Sequence, residues 1–185
     1  MKRLTVGAAA FAVAVAGFAV FGTGVKAQDP LFGDAESVEF ALAVWEAMED
    51  QKLVGENAIR AFPYVGGPPH GDILVTLESM LSVGGRTATV IVKKNYTLEF
   101  ATVEDVANNP GQQHDVTVMF RREAGYDDDN HDWFWAKYTA DGEILAGPPG
   151  PLAGRVYKGL EAGCIACPSN APGGDMAFIN DRHAM

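Results

Sequence analysis

The sequence predicts an α+β fold, mainly an antiparallel β-sheet preceded by one N-terminal helix. One segment of helical periodicity, residues 35–52, comes before several segments that have the composition and alternation of strands. Turn residues separate those segments, above all Gly84-Gly85 and Asp141-Gly142. A chain of 185 residues is long enough for one domain with its own core. We therefore expect residues 28–185 to form a single domain.

The first 27 residues have the pattern of a secretory signal peptide. Lys2 and Arg3 precede an apolar run, and Val25-Lys26-Ala27 ends it with a small residue at the expected cleavage position. The alternative is an uncleaved membrane anchor, since the run is long enough to span a bilayer. Its many Ala and Gly residues favour a signal peptide cleaved after Ala27, and hence a periplasmic or secreted protein.

The first predicted element of the mature chain is an amphipathic helix over residues 35–52. Asp34 is a good N-cap, and Glu36 suits the first turn of a helix. Apolar residues then recur at helical spacing, at Val38, Ala41, Leu42, Trp45 and Met48. Trp45 lies on this apolar stripe, so we expect it in the core rather than against a cofactor.

Four strands are expected after the helix, over residues 73–80, 87–96, 115–122 and 133–139. Residues 60–72 are rich in Pro and Gly and are expected to be irregular. Pro148 to Pro151 is expected to be a stiff connector. A short helix over residues 153–162 is then expected to lead into the C-terminal cysteine pair.

The net charge restricts the partners of the chain. The formal charge is −10, and removing Lys2, Arg3 and Lys26 with the signal peptide takes it to −13. Such an acidic surface argues against nucleic acid or an anionic membrane as a partner. It fits a soluble exported protein, or one that docks a basic redox partner protein.

Cys164 and Cys167 have the spacing of covalent c-type haem attachment, C-x-x-C-H, but Pro168 stands where the motif has its axial His. In an oxidising compartment the alternatives are a Cys164–Cys167 disulfide or a thioredoxin-like thiol pair. A disulfide closing so short a loop would contribute only about 2 kcal/mol. The thiol pair requires a βαβ context that the upstream sequence lacks.

The surrounding segments resemble the cytochrome P-460 family, which includes the beta-type cytochromes c prime. The resemblance is carried by DVTVMFRREAGYDDDNHDWFWAKYTADGEI (115–144), GRVYKGLEAGCIAC (154–167) and APGGDMAFIND (171–181), with PHGDILVT (69–76) and VIVKKNY (90–96) upstream. These segments fall in the family's order over residues 60–181. The resemblance implies an exported, mostly antiparallel domain, often a homodimer, that holds one haem c. Members oxidise hydroxylamine or bind nitric oxide and similar gases.

The resemblance also implies roles for individual residues. Cys164 and Cys167 match the thioether cysteines, and Lys93 matches the lysine that is cross-linked to the haem ring in the P-460 enzymes. Pro168 occupies the position of the proximal His and has no side-chain donor. A haem-free relative that keeps the fold, with a Cys164–Cys167 disulfide, is therefore the alternative function.

Other side chains are candidates for the missing iron ligand. Met176 follows the cysteine pair and His70 lies in the PHG stretch, and both types of side chain bind haem iron. The remaining histidines, His114, His131 and His183, are also candidates. We expect His183 to be exposed near the C-terminus and His131 to lie in a solvated turn, and His114 sits just before a strand.

Lys93 has an interpretation that does not depend on the resemblance. Lys93 and Lys94 alternate along a strand, so one of the two must lie on its more apolar face or reach solvent from the strand end. On sequence alone, two solvated lysines at a strand end are favoured over a cofactor contact.

Two clusters complete the candidate sites. The acidic run of Asp127, Asp128, Asp129 and Asp132 lacks the ligand spacing of an EF-hand, which favours a solvated loop over a calcium site. The aromatic run 133–135 is predicted to be a core strand, with one face available as the wall of a haem pocket.

Overall fold

A computed structural model of the chain describes residues 32–66, 72–96, 102–111, 113–148, 150–156 and 158. The predicted signal peptide, residues 1–27, lies outside the described residues. So do residues 159–162 of the predicted second helix. The observed fold is mostly antiparallel β-sheet with few helices, which confirms the predicted α+β class.

The N-terminal helix α1 spans Ala35–Asp50. Asp34 caps it as predicted, because its Oδ1 accepts a hydrogen bond from the backbone N–H of Ser37 at 2.8 Å. Its buried stripe consists of Ala41, Val44, Trp45 and Met48. The helix ends two residues before the predicted boundary, where Lys52 adopts a left-handed conformation with φ +58°.

The main sheet contains six strands: β1 (Tyr64–Val65), β2 (Ile73–Val83), β3 (Arg86–Tyr96), β4 (Asp115–Arg121), β5 (Trp133–Thr139) and β8 (Ala153–Gly154). They lie in the order β1-β2-β3-β4-β5-β8, and all neighbouring strands are antiparallel. The four long strands match the predicted ones, and Gly84-Gly85 forms the expected turn between β2 and β3. A separate two-stranded sheet pairs β6 (Ala146–Gly147) with β7 (Gly150–Pro151).

Three short elements differ from the predictions. Tyr64 and Val65 pair with the start of β2, although the Pro- and Gly-rich stretch was expected to be irregular throughout. Helix α2, Val103–Asn108, was not predicted, and it begins at a capping box between Thr102 and Asp105. The predicted short helix from Ala153 begins instead as strand β8, because the backbone of Ala153 and Gly154 pairs with the edge of β5.

The two faces of the sheet pack against different partners. We call the side that packs on α1 the helix face, and its core includes Val92, Val118, Phe120, Phe134 and Tyr138, all fully buried. The Tyr138 hydroxyl donates a 2.8 Å hydrogen bond to the carbonyl of Ala41 in α1. We call the opposite side the tryptophan face, since Trp133 and Trp135 lie on it in a second core cluster.

Candidate functional site

The predicted cysteine site lies outside the described residues. This applies to Cys164, Cys167 and Pro168, and also to the ligand candidates Met176 and His70. Lys93 is the predicted cofactor-binding residue that the structure does describe, so the candidate site is built from Lys93 and the sheet face on which it lies.

Lys93 and Lys94 are both buried, and they lie on opposite faces of the sheet. Each is 5% exposed, so the prediction of two solvated lysines is wrong. Lys93 pairs in register with Thr76 on β2 and Thr117 on β4, and strand alternation places it on the tryptophan face. Lys94 pairs with Val75 and Val116 and lies on the helix face. Strand pairing explains the burial of both lysines. Strand β3 lies between β2 and β4, and both neighbours pair with it at Lys93 and Lys94.

The tryptophan face is apolar beyond Lys93. Ile91, Met119 and Trp135 form one row across β3, β4 and β5, and Trp133 follows along β5. All four side chains are at most 2% exposed. The aromatic run is therefore core, as predicted, with Phe134 on the helix face and both tryptophans on the other. The guanidinium of Arg121 lies 4.2 Å from the ring centroid of Trp133, which fixes the edge of this wall.

One polar atom in the apolar wall has no partner among the described residues. The indole Nε1 of Trp135 is buried and makes no hydrogen bond there. Buried indole N–H groups usually find an acceptor, since leaving a donor without one costs about 1–3 kcal/mol. The wall therefore presents a donor that a bound group with an acceptor atom would satisfy.

A polar network centred on Asp115 adjoins Lys93 on the same face. Asn95 Nδ2 donates to Asp115 Oδ1 and, at 3.0 Å, to the hydroxyl of Thr117. Lys137 Nζ and His114 Nδ1 each lie 3.0 Å from Asp115 Oδ2. Burial alone would raise the pKa of Asp115, but the hydrogen bonds from these neighbours outweigh it and hold the pKa below its usual value.

One acceptor of the Asp115 network has no partner in the described part of the chain. Asn95 is 1% exposed, and its Oδ1 has no hydrogen-bond partner among the described residues. Donation to the Asp115 carboxylate fixes the orientation of this amide, because a flipped Asn95 would point its oxygen at that carboxylate. Sequence reasoning missed Asn95, although its place two residues from Lys93 on a strand put it on the same face.

The described histidines do not lie in the buried part of the tryptophan face. The His114 side chain is 66% exposed and pairs with Asp115 at the start of β4. His131 is exposed and adopts a left-handed conformation, φ +55°, in the loop before β5. Met119 has a thioether that is able to bind haem iron, and it is buried in the apolar wall. Sequence reasoning missed Met119 as a candidate. The alternation of side chains along strand 115–121 could have assigned it to this face.

The acidic loop is held together by a lysine and is only partly solvated. Asp127 is 3% exposed and accepts hydrogen bonds from Lys158 Nζ and, at 2.8 Å, from Asn130 Nδ2. Lys158 Nζ also lies 3.3 Å from Asp129 Oδ2. These contacts, first the hydrogen bond to Asp127, raise the pKa of Lys158. In the described part of the chain, no group of three His, Cys, Asp or Glu side chains is arranged to hold a metal ion.

A cavity of about 470 Å³ lies at one end of the helix face. Its walls come from the end of α1, the segment after α1, the turn after β5 and the segment before β4, and Lys94 lines it from the sheet. Burial lowers the pKa of Lys94. This cavity and the tryptophan face are separated by the thickness of the sheet.

The tryptophan face combines a buried aromatic cluster, in which both tryptophans pack with Phe32, Leu152 and Val156, with a buried lysine and a polar network. Among the described residues, the Trp135 indole N–H and the Asn95 amide oxygen have no hydrogen-bond partner. Within the described ranges, no helix is long and apolar enough to cross a membrane. Comparisons with protein-family models, curated proteins and solved structures found no significant match to this chain.

Proposed function

We propose that the chain is an exported c-type haem domain, similar to the cytochrome P-460 family, that binds nitric oxide or oxidises hydroxylamine. The observation that carries the proposal is the burial of Lys93 beside the apolar wall of Ile91, Met119 and Trp135. The resemblance assigns Lys93 to the edge of the haem, and a lysine is rarely so buried without a functional or ionic reason.

The residues of the tryptophan face fit one side of a macrocycle. A haem ring requires an apolar surface that excludes water, which Trp133, Trp135 and Met119 supply. The Trp135 indole and the Asn95 amide offer one donor and one acceptor to polar groups at the ring edge. In this proposal Cys164 and Cys167 hold the ring covalently. When bound, the haem supplies an iron position at which small nitrogen compounds bind and exchange electrons.

The protein's own contribution is to orient the ring and to set its surroundings. Lys93 positions the ring edge, and the Asp115 network holds the neighbouring strand segment in place through Asn95 and Thr117. The buried aromatic wall keeps the local dielectric low, which strengthens every polar contact made there. The acidic surface of the mature chain suits a basic redox partner protein.

The first test is the mass and visible spectrum of the exported protein made in a host with c-type haem maturation. The proposal predicts a haem-sized mass increase and a Soret band, both lost in a Cys164→Ser/Cys167→Ser variant. A Pro168→His variant, made alongside, shows whether restoring the family's ligand changes the band. Natural protein that has lost only its signal and two hydrogens, with haem appearing in the Pro168→His variant, would establish the haem-free alternative instead.

Lys93 and Lys94 provide a matched pair for placing the ring. Lys93→Met is expected to shift the Soret band or to reduce haem retention, because Lys93 lies on the tryptophan face. Lys94→Met, one residue further along the same strand, is expected to leave the band unchanged, since Lys94 points to the helix face. Equal effects of the two substitutions would contradict the placement of haem on the tryptophan face.

A further inference from the structure

Lys94 is a buried amine that forms no ion pair with the described residues. It is 5% exposed, and its pKa is lowered by burial alone, with no hydrogen bond or ion pair acting on it within the described residues. Buried lysines are usually paired, because an isolated ammonium is costly to remove from water. Burial shifts the protonation equilibrium of Lys94 toward the free amine, which is the nucleophile.

The cavity beside Lys94 gives a small molecule access to this amine. Its volume is about 470 Å³, which is within the range of sites for small organic ligands. Trp45, 7% exposed, contributes an aromatic wall. Gly55 packs closely against Glu49 in the cavity wall, because a Cβ added at Gly55 would lie 3.2 Å from Glu49 Oε1.

The charges around the cavity favour a neutral ligand. Glu49, Glu56 and Asp141 line it, and the cations that line it are Arg60 and Lys94 itself. All three carboxylates and Arg60 are exposed, and none of them acts on the pKa of Lys94. With the acidic chain around them, the carboxylates repel an anion that approaches the cavity.

We infer that Lys94 is the anchoring residue of a binding site for a small neutral aldehyde or ketone, which it holds as an imine. The Lys94 Nζ lone pair attacks the carbonyl carbon, and a carbon–nitrogen bond forms as the carbonyl π bond breaks. Both amine protons are transferred to the oxygen, which leaves as water. No oxidant or reductant takes part. The site lies on the helix face and is independent of the proposed haem function.

The test is reductive trapping with benzaldehyde and cyanoborohydride on the full-length chain, at neutral pH. Peptide mass spectrometry then gives the labelled fraction of Lys94 relative to the exposed Lys52. The lowered pKa of Lys94 gives it a larger free-amine fraction, and the cavity admits the probe, so we expect Lys94 to be labelled several-fold faster than Lys52. Labelling of Lys94 no faster than Lys52, in protein with a native circular dichroism spectrum, would overturn the inference.

Two variants distinguish the cavity from a merely reactive lysine. Gly111 lines the cavity, and a Cβ built there meets no atom within 4 Å, so Gly111→Phe is expected to occupy part of the space without disturbing the fold. Preferential labelling of Lys94 should then be lost while Lys52 is labelled as before. A Lys52→Met control should leave Lys94 labelling unchanged. Undiminished labelling of Lys94 in a folded Gly111→Phe protein would overturn the cavity as the site.

The charge of the probe tests the ligand class. 4-Carboxybenzaldehyde has the same reactive group and a similar size but carries a negative charge. We expect it to label Lys94 several-fold more slowly, relative to Lys52, than benzaldehyde does. Faster labelling by the charged aldehyde would overturn the assignment of a neutral ligand and show that the site selects anions.

Discussion

Lys93 and Lys94 are neighbours in sequence and equally buried, yet the two sheet faces give them different surroundings. On the helix face, Lys94 borders a cavity, and the rest of that face is an apolar core closed by α1. On the tryptophan face, Lys93 lies between an aromatic wall and the Asp115 network. Successive side chains of a strand point to opposite faces of the sheet, so two neighbouring lysines lie beside a cavity on one face and beside a polar network on the other.

The strongest way to disrupt the helix face is at Gly142, in the turn after β5. Its φ is +92°, and an added Cβ would overlap the indole of Trp45. Gly142→Ala is therefore expected to lower the free energy of unfolding by about 3 kcal/mol or more, combining overpacking with backbone strain. Chemical denaturation of the purified variant would measure the loss.

Gly85 is the matched control for this substitution. It also has a positive φ, +81°, but a Cβ there meets no atom within 4 Å. Gly85→Ala is expected to lower the free energy of unfolding by only about 1 kcal/mol, because it introduces backbone strain but no steric overlap. Equal losses at the two glycines would show that contact with Trp45 does not determine the effect.

The corresponding test of the tryptophan face is Asp115→Asn. The amide cannot accept the charge-assisted hydrogen bonds from Lys137 and Asn95 as a carboxylate does, so we expect a loss of about 2 kcal/mol at pH 7. Because folding lowers the pKa of Asp115, its ionisation stabilises the fold above the unfolded value of about 3.8. That contribution disappears as the pH falls through the lower folded pKa.

Denaturation at a series of pH values measures this linkage. The difference in stability between natural protein and Asp115→Asn should shrink as the pH falls below about 4. Glu78→Gln is the control, since Glu78 is an exposed carboxylate on β2. A difference between natural protein and Asp115→Asn that stays constant down to pH 2 would contradict the ion-pair explanation.

The sequence predicts the helix and strands better than the sites that they form together. Helix α1 and the long strands follow from periodicity, an N-cap at Asp34 and the glycines of the β2–β3 turn, all of which are local signals. The cavity and the Asp115 network join residues that are far apart in sequence, such as Glu49 with Lys94 and Asn95 with Asp115. Strand pairing joins Asn95 to Asp115, and the packing of α1 on the sheet brings Glu49 to the cavity of Lys94, so the periodicity of single segments could not reveal either group.

The burial of both lysines was missed for a related reason. A lysine near the end of a strand is normally expected to reach solvent. Here β3 lies between β2 and β4, and these two strands pair with it at both Lys93 and Lys94. Strand order is a property of the whole sheet. The hydrophobic alternation within one strand does not predict which strands will flank it.

Lys94→Met, also on the helix face, is expected to stabilise the protein, whereas Gly142→Ala is expected to destabilise it. It replaces a buried amine that has no ion pair among the described residues with an apolar side chain of similar length, and we expect a gain of about 1 kcal/mol at pH 7. Folding lowers the pKa of Lys94, so the destabilisation it causes is present below the folded pKa. It disappears as the pH rises toward the unfolded value of about 10.5.

The gain from Lys94→Met should therefore decrease between pH 7 and pH 10, as measured by thermal or chemical denaturation. Lys52→Met, at an exposed position, should show no comparable pH-dependent gain. A destabilised Lys94→Met protein would indicate that the Lys94 amine makes a favourable contact in the folded state.

The smallest effect is expected at Trp135. Trp135→Phe removes the buried indole N–H, which has no acceptor among the described residues, and removing it should stabilise the fold. The smaller ring also makes fewer apolar contacts, and this loss opposes the stabilisation. We expect a net change within about 1 kcal/mol in haem-free protein. Trp133→Phe should cost more, since Trp133 also stacks under Arg121 at 4.2 Å. Chemical denaturation of the two variants side by side measures the difference. A larger loss of unfolding free energy in Trp135→Phe than in Trp133→Phe would mean that the Trp135 indole N–H already has a partner in the folded protein.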